Sequence, residues 1–271
     1  MVVLVLGQPQ LFAGDASSPF TLARQGGILI SVSLNGAGPF VMLLDTGANH
    51  SSVSEELAET LQLPVVARGT VQSAAGAHDR LITRIDRMVV GPYETRVMPS
   101  ILPKAYLALA GDVQGVVGQD VLARLRYTID YRDRRIVWHD QEPAGSGTVA
   151  VLPMTFREGL PVVELPQAVG LLSLVADSGT GGLVLFDRVG AGLPGMTTSA
   201  DQVRLDTLHG TSLARSVSID RFRVGKTTFR DFPAVLLKGL DSPAQRGDGL
   251  LPLHIFSRVT FDGPGGRLIV G

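Results

Sequence analysis

Apolar residues in this chain come in short runs broken by turn formers. Gly27 to Leu34 and Phe40 to Leu44 are β-type runs, and Asn35-Gly36-Ala37-Gly38-Pro39 between them is a strong hairpin turn. Thr70 to Asp86 reads as a hairpin with its tip around Ala74-Ala75-Gly76-Ala77. Thr128 to Tyr131 and Arg135 to Trp138 read as a closing hairpin around Asp133. Helical patterning in this half is brief. Ser52-Val53-Ser54-Glu55 is a capping-box pattern that opens a short helix through Leu57 and Leu61. Gln119 to Arg126 reads as a second short helix with Asp120 near its start. The pattern predicts a mainly β protein.

The same order of elements then recurs. Asp45-Thr46-Gly47 is matched by Asp177-Ser178-Gly179, 132 residues later. Ile85-Asp86-Arg87, Val90-Gly91, Gly76 and Gly115-Val116-Val117 each find a partner 134 residues on, at Ile219-Asp220-Arg221, Val224-Gly225, Gly210 and Gly249-Leu250-Leu251. Asp130 falls on Asp262, and Arg135-Ile136-Val137 on Arg267-Leu268-Ile269, again at 132. Ordered landmarks whose spacing varies by only two residues imply two homologous halves. The predicted organisation is an N-terminal tail or remnant signal segment over 1–27, one lobe over 28–141, a linker at 142–148 and a second lobe over 149–271. The linker, Glu142-Pro143-Ala144-Gly145-Ser146-Gly147-Thr148, is small, polar and turn-rich. The middle hairpin of the second half has its tip near Leu208-His209-Gly210-Thr211.

Composition narrows the chemistry. The chain has 271 residues, 45% of them hydrophobic, which is enough for a sizeable core. Its 24 basic and 25 acidic residues nearly cancel, so neither a nucleic-acid footprint nor a polybasic membrane anchor is expected. With no cysteine, disulfides, thiol nucleophiles and Cys-based metal sites are excluded. The five histidines, His50, His78, His139, His209 and His254, are scattered without the spacing of a metal site. No Gly-x-Ser-x-Gly with a plausible His and Asp supports a serine nucleophile. Apolar runs such as Val169 to Ala176 are too short to span a bilayer. Met1 to Leu6 is apolar, with small residues after it at Ala13, Gly14 and Ala16, like the tail of a signal peptide. No Lys or Arg precedes it, so a loose strand is the competing reading. The expected location is periplasmic or secreted on the first reading and otherwise cytoplasmic.

The candidate chemistry is a carboxylate presented in a small-residue turn once per half. In Leu43-Leu44-Asp45-Thr46-Gly47-Ala48 and in Val175-Ala176-Asp177-Ser178-Gly179-Thr180 an apolar strand leads into the aspartate. The hydroxyl residue can bond backbone in a neighbouring loop, and Gly permits a tight turn and close approach of a second backbone. An isolated Asp before Gly is ordinarily a turn residue; duplication in a matched context reverses that weighting. If a pseudo-twofold axis relates the halves, the two carboxylates meet, cannot both ionise easily, and share a proton. The ionised partner then takes a proton from a water held between them, and the protonated partner gives one to a carbonyl oxygen. Asp86 and Asp220 read as paired or solvated strand residues, and Asp130 and Asp262 as turn or strand-end residues.

These motifs resemble the pepsin/retropepsin superfamily of aspartic peptidases, most of all the bacterial single-chain retropepsin-like aspartyl proteases. Leu-Leu-Asp-Thr-Gly-Ala is similar to the retroviral protease motif, and Gly115-Val116-Val117-Gly118 resembles the element that sits behind the catalytic turn in that family. The resemblance covers residues 28 to 271. It implies a bilobal, mainly β acid-protease fold with two barrel-like lobes about a pseudo-twofold axis. It implies an aspartic endopeptidase with Asp45 and Asp177 catalytic, Thr46 and Ser178 making cross-lobe hydrogen bonds, and Gly47 and Gly179 shaping the turns. Ala75, Gly76, Ala77 and His78 would form a flap over an extended polypeptide substrate, with His209 and Gly210 in a second flap. No cofactor or metal is required, and one chain carries both aspartates, so a monomer suffices. One departure stands out: Leu250-Leu251-Pro252 where a final Gly is expected, which bears on the support of Asp177. A related module that binds peptides or a partner with a weakened dyad is the rival reading.

Overall fold

The computed structural model describes residues 15–271 apart from 24, 74–75, 104–106, 108–110, 144–147, 169, 191–192, 208–209 and 238–246. The apolar run at Met1 to Leu6, most of the expected linker, and two of the expected flap residues, Ala75 and His209, lie outside the described residues.

Two twisted sheets carry nearly all of the order. The first, of ten strands, belongs to the first half alone and runs from Val65–Ser73 through Gly115–Val117, Ala37–Leu44 and Ile28–Leu34 to Tyr93–Val97. The second, of thirteen strands, contains the second half and reaches across to the strands Ala16–Pro19, Arg126–Asp130 and Arg135–His139 of the first. This is a bilobal acid-protease fold.

The halves join where Arg126–Asp130 pairs antiparallel with Arg258–Asp262, Thr128 lying opposite Thr260. These two residues are 132 apart, and their hydroxyls touch at 2.7 Å. A residue that meets its own equivalent lies on the axis relating the halves. On either side of it, Arg126 Nε donates to Asp262 at 2.9 Å and Arg258 Nε donates to Asp130 at 2.8 Å. The strand-end reading of Asp130 and Asp262 is right in place; the arginine each receives from the opposite lobe is visible only here. One continuous apolar core runs through both lobes, with Ile28, Leu44, Val117, Trp138, Leu174, Ala176, Leu251 and Phe261 all buried.

Three elements differ from expectation. The segment expected to be a tail is structured from residue 16: Ala16–Pro19 pairs with Arg135–His139, and Trp138 Nε1 donates to Ser18 Oγ at 2.9 Å. The first helix spans Glu55–Thr60 and is capped by Ser54, whose hydroxyl accepts from Leu57 N–H. Ser52–Ser54 is instead a strand between Ser100–Leu102 and Gly115–Val117, because ladder bonds on both sides outweigh a local cap. The second helix is only Gln119–Leu122; Arg126 is drawn into the sheet opposite His139 and Asp262.

Candidate active site

Each candidate aspartate stands at the buried end of a strand. Ala37–Leu44 lies parallel to Gly115–Val117, with Leu43 opposite Val116 and Leu44 opposite Val117, and Asp45 N–H donates to Val117 C=O at 3.1 Å. Leu171–Asp177 lies parallel to Gly249–Pro252, with Ala176 opposite Leu251 and Asp177 opposite Pro252. An apolar strand clamped on both edges has nowhere to put its last residue except the gap between the lobes. Asp45 and Asp177 are accordingly only 9% and 7% exposed.

The two turns interlock. Thr46 Oγ1 donates to Ala176 C=O at 2.8 Å, and Ser178 Oγ donates to Leu44 C=O at 2.9 Å. Thr46 N–H donates to Ser178 Oγ at 3.0 Å, and Ser178 N–H donates to Thr46 Oγ1 at 2.9 Å. Each hydroxyl thus gives one bond and receives one across the lobe boundary, and all four are buried. The cross-lobe role expected of Thr46 and Ser178 is the one seen in their geometry.

The glycines permit the contact. A Cβ at Gly47 would lie 2.5 Å from Asp177 Cγ, and one at Gly179 would lie 2.9 Å from Asp45 Cγ. Each glycine therefore faces the other lobe's carboxyl with no room for a side chain. Within its own turn, Gly47 N–H donates to Asp45 Oδ1 at 2.8 Å and Gly179 N–H to Asp177 Oδ1 at 2.7 Å.

Burial decides the electrostatics of the pair. Asp45 is raised above the usual carboxylate range by desolvation, offset in part by the Gly47 N–H, by its hydrogen bond with the Asp177 side chain and by the Ala48 N–H. Asp177 is raised well above that range, first by desolvation and then by the charge of Asp45. Two carboxyls this close and this buried resist losing both protons, so the second leaves less readily than the first.

The supports behind the turns are unequal. Gly118 is crowded by backbone: a Cβ there would lie 2.7 Å from His50 C and 2.9 Å from Ala48 O. At the matching register the second lobe has Pro252 in extended conformation, and the parallel pairing at Ala176 and Asp177 persists. Its loop after the aspartate reads Thr180-Gly181-Gly182 where the first lobe has Ala48-Asn49-His50, and it closes on itself through Thr180 Oγ1 to Gly182 C=O at 2.9 Å. The departure from Gly is therefore accommodated by a differently shaped loop.

Other candidates fall elsewhere. Gly76, Ala77 and His78 lie on the strand Gly76–Thr83, paired with Ser73, Gln72 and Val71, at the end of a hairpin. Gly210 starts the strand Gly210–Val224, opposite Thr207. Asp86 pairs with Arg84 and Arg96, and Asp220 with Arg221, all on the surface. Among the described residues no group of three or more His, Asp or Glu could hold a metal ion. Nor, among them, is any helix long and apolar enough to cross a membrane.

Three functional candidates escaped the sequence reading. Gln119 Nε2 donates to Thr46 C=O at 2.9 Å, buried. Ser51 donates to Asp120 Oδ1 through both Oγ, at 2.6 Å, and N–H, at 2.9 Å, and its Oγ accepts from Gly118 N–H at 3.1 Å. Burial raises the Asp120 carboxyl. The pattern Gly118-Gln119-Asp120 behind the Asp-Thr-Gly turn was their only signal in the sequence.

The interlocked Asp-hydroxyl-Gly turns lie in two halves that each match an aspartyl protease family model, and this chain belongs to the pepsin/retropepsin-like superfamily. Residues 30–124 match the family model for gag-polyprotein aspartyl proteases, and residues 170–254 match the aspartyl protease model. Among solved structures it is similar to Basic 7S globulin from soybean, at 14% identity and a TM-score of 0.53 over 95% of each chain, a likeness of fold. No curated protein matches it in sequence.

Proposed function

We propose that this chain is an aspartic endopeptidase acting on extended polypeptide held between its lobes. The observation that carries this reading is the reciprocal lock of Thr46 and Ser178, which sets Gly47 against Asp177 and Gly179 against Asp45. A structural turn has no need of two carboxyls buried face to face, since burying a charge opposes stability.

A water between the carboxyls loses a proton to the ionised aspartate while its oxygen attacks the scissile carbonyl carbon. The protonated aspartate gives its proton to the carbonyl oxygen, forming a neutral tetrahedral diol. Collapse of the diol breaks the C–N bond as the aspartate that took the water's proton gives it to the departing nitrogen and the other aspartate takes a hydroxyl proton, which restores the starting dyad. No covalent intermediate forms. The hairpin ends near Gly76 and Gly210 serve as covers over the bound strand, and because one chain supplies both aspartates it acts as a monomer.

The test is cleavage of an unfolded protein between about pH 3 and 8 by wild type, Asp45→Asn and Asp177→Asn, each checked for folding. A bell-shaped profile abolished by either substitution supports the dyad. A folded wild type that cleaves neither protein nor small amides at any pH would turn the reading towards a peptide-binding module.

A further inference from the structure

We propose that Gln119 is a positioning residue that biases the dyad, holding Asp45 as the resting base and leaving the shared proton on Asp177. The inference rests on the catalytic reading above and assigns each aspartate its role.

The argument starts from one peptide group. The unit joining Thr46 to Gly47 uses its N–H to hold Asp45 Oδ1 at 2.8 Å, and its C=O accepts from Gln119 Nε2 at 2.9 Å. The chain Gln119 N–H to Thr46 C=O, then Gly47 N–H to Asp45 carboxylate, is continuous. A hydrogen bond to an amide oxygen polarises the amide and makes its N–H a stronger donor. A stronger donor favours the ionised carboxylate.

Gln119 is itself firmly mounted. It opens the helix Gln119–Leu122, and its own N–H donates to Ala48 C=O at 2.8 Å. Its neighbours on either side, Gly118 and Asp120, are both bonded to Ser51.

At the matching position of the second lobe the donor is missing. The parallel registers, Val117 opposite Leu44 and Leu251 opposite Ala176, make Leu253 the counterpart of Gln119. Leu253 is buried and its side chain carries no donor. Gly179 N–H still holds Asp177, but the amide behind it receives nothing from this position.

The experiment follows aspartate carboxyl carbons by NMR across a pH titration of the full chain, with Asp45 and Asp177 assigned from spectra of their Asn variants. It needs no turnover. Gln119→Met keeps the side-chain volume and removes the donor; Asp45 then titrates at higher pH than in wild type, and Asp177 at lower. Leu253→Gln is the reciprocal variant, and it moves Asp177 downward. In cleavage assays Gln119→Met loses about two- to tenfold in kcat, the worth of one neutral hydrogen bond, with KM little changed. Unmoved titrations in folded Gln119→Met overturn the proposal, whatever happens to stability. If that variant does not fold, an unmoved Asp177 in Leu253→Gln overturns it. Moved titrations in a protein that cleaves nothing would leave the relay standing and remove the protease reading; cleavage with unmoved titrations would do the reverse.

Discussion

Replacing Thr46 by valine tests whether the interlobe lock supports the whole fold. Valine matches threonine in shape but has no hydroxyl. Two bonds vanish, Thr46 Oγ1 to Ala176 C=O and Ser178 N–H to Thr46 Oγ1. Both orphaned groups belong to buried backbone, and Thr46 and Ser178 are 0% and 4% exposed, so water cannot replace the lost partner. An unsatisfied buried group costs about 1–3 kcal/mol, which puts Thr46→Val at about 2–6 kcal/mol. Ser178→Ala orphans a different pair, Thr46 N–H and Leu44 C=O, and should cost about the same. Against a typical stability of about 5–15 kcal/mol either change is severe. Because the lost bonds are disjoint yet share one interface, the double variant should cost less than the sum once the turns have parted. Urea denaturation gives the answer through the midpoint, provided the slope is unchanged. A loss under about 0.5 kcal/mol for both single variants, which is ordinary for surface changes, would refute the reasoning.

Asp177→Asn should raise the denaturation midpoint at neutral pH. A carboxyl raised on folding favours the native state at acid pH and weighs against it as pH climbs from the unfolded value through the folded one. The gain should fade below about pH 4, where even the unfolded carboxyl is protonated; a variant no more stable than wild type at pH 7 contradicts this. The opposite sign applies to Asp262. Burial opposes its charge, but hydrogen bonds from Arg267, Gly265 N–H and Arg126 outweigh that and hold its carboxyl below the usual range. Its contribution is complete above about pH 4 and lost as pH falls through the folded value. Asp262→Asn should therefore cost roughly 2 kcal/mol at pH 7, less than a fully buried pair because both arginines are about one-third exposed, with the gap to wild type closing in acid. A gap independent of pH would rule that out. Gly47→Ala drives a methyl group into the Asp177 carboxyl, so it should cost about 1–3 kcal/mol and about a hundredfold in turnover. A folded Gly47→Ala cleaving at the wild-type rate would disprove the close approach.

Much of this molecule is local and so was readable along the chain. Apolar runs ended by Asn-Gly or Asp-containing turns report strands and hairpins, because backbone sterics and burial act on neighbouring residues. The turn after Leu34 does use Asn35 and Gly36 at positive φ, as the residues demand. The recurrence of Asp-hydroxyl-Gly after 132 residues pointed to two lobes and to both candidate aspartates, since a duplicated fold keeps its chemistry in register. Tertiary structure alone decided which groups meet across that distance. The exchange of hydroxyls between Thr46 and Ser178, the crossed pairs Arg126–Asp262 and Arg258–Asp130, and the carboxamide of Gln119 on Thr46 all depend on the register of strands more than 70 residues apart. Periodicity is blind to register between distant strands, because any shift by two residues preserves the same apolar face. The strand at Ala16–Pro19 and the cap at Ser54 follow the same rule: a place in the sheet, offered by distant residues, overrode what the local sequence preferred.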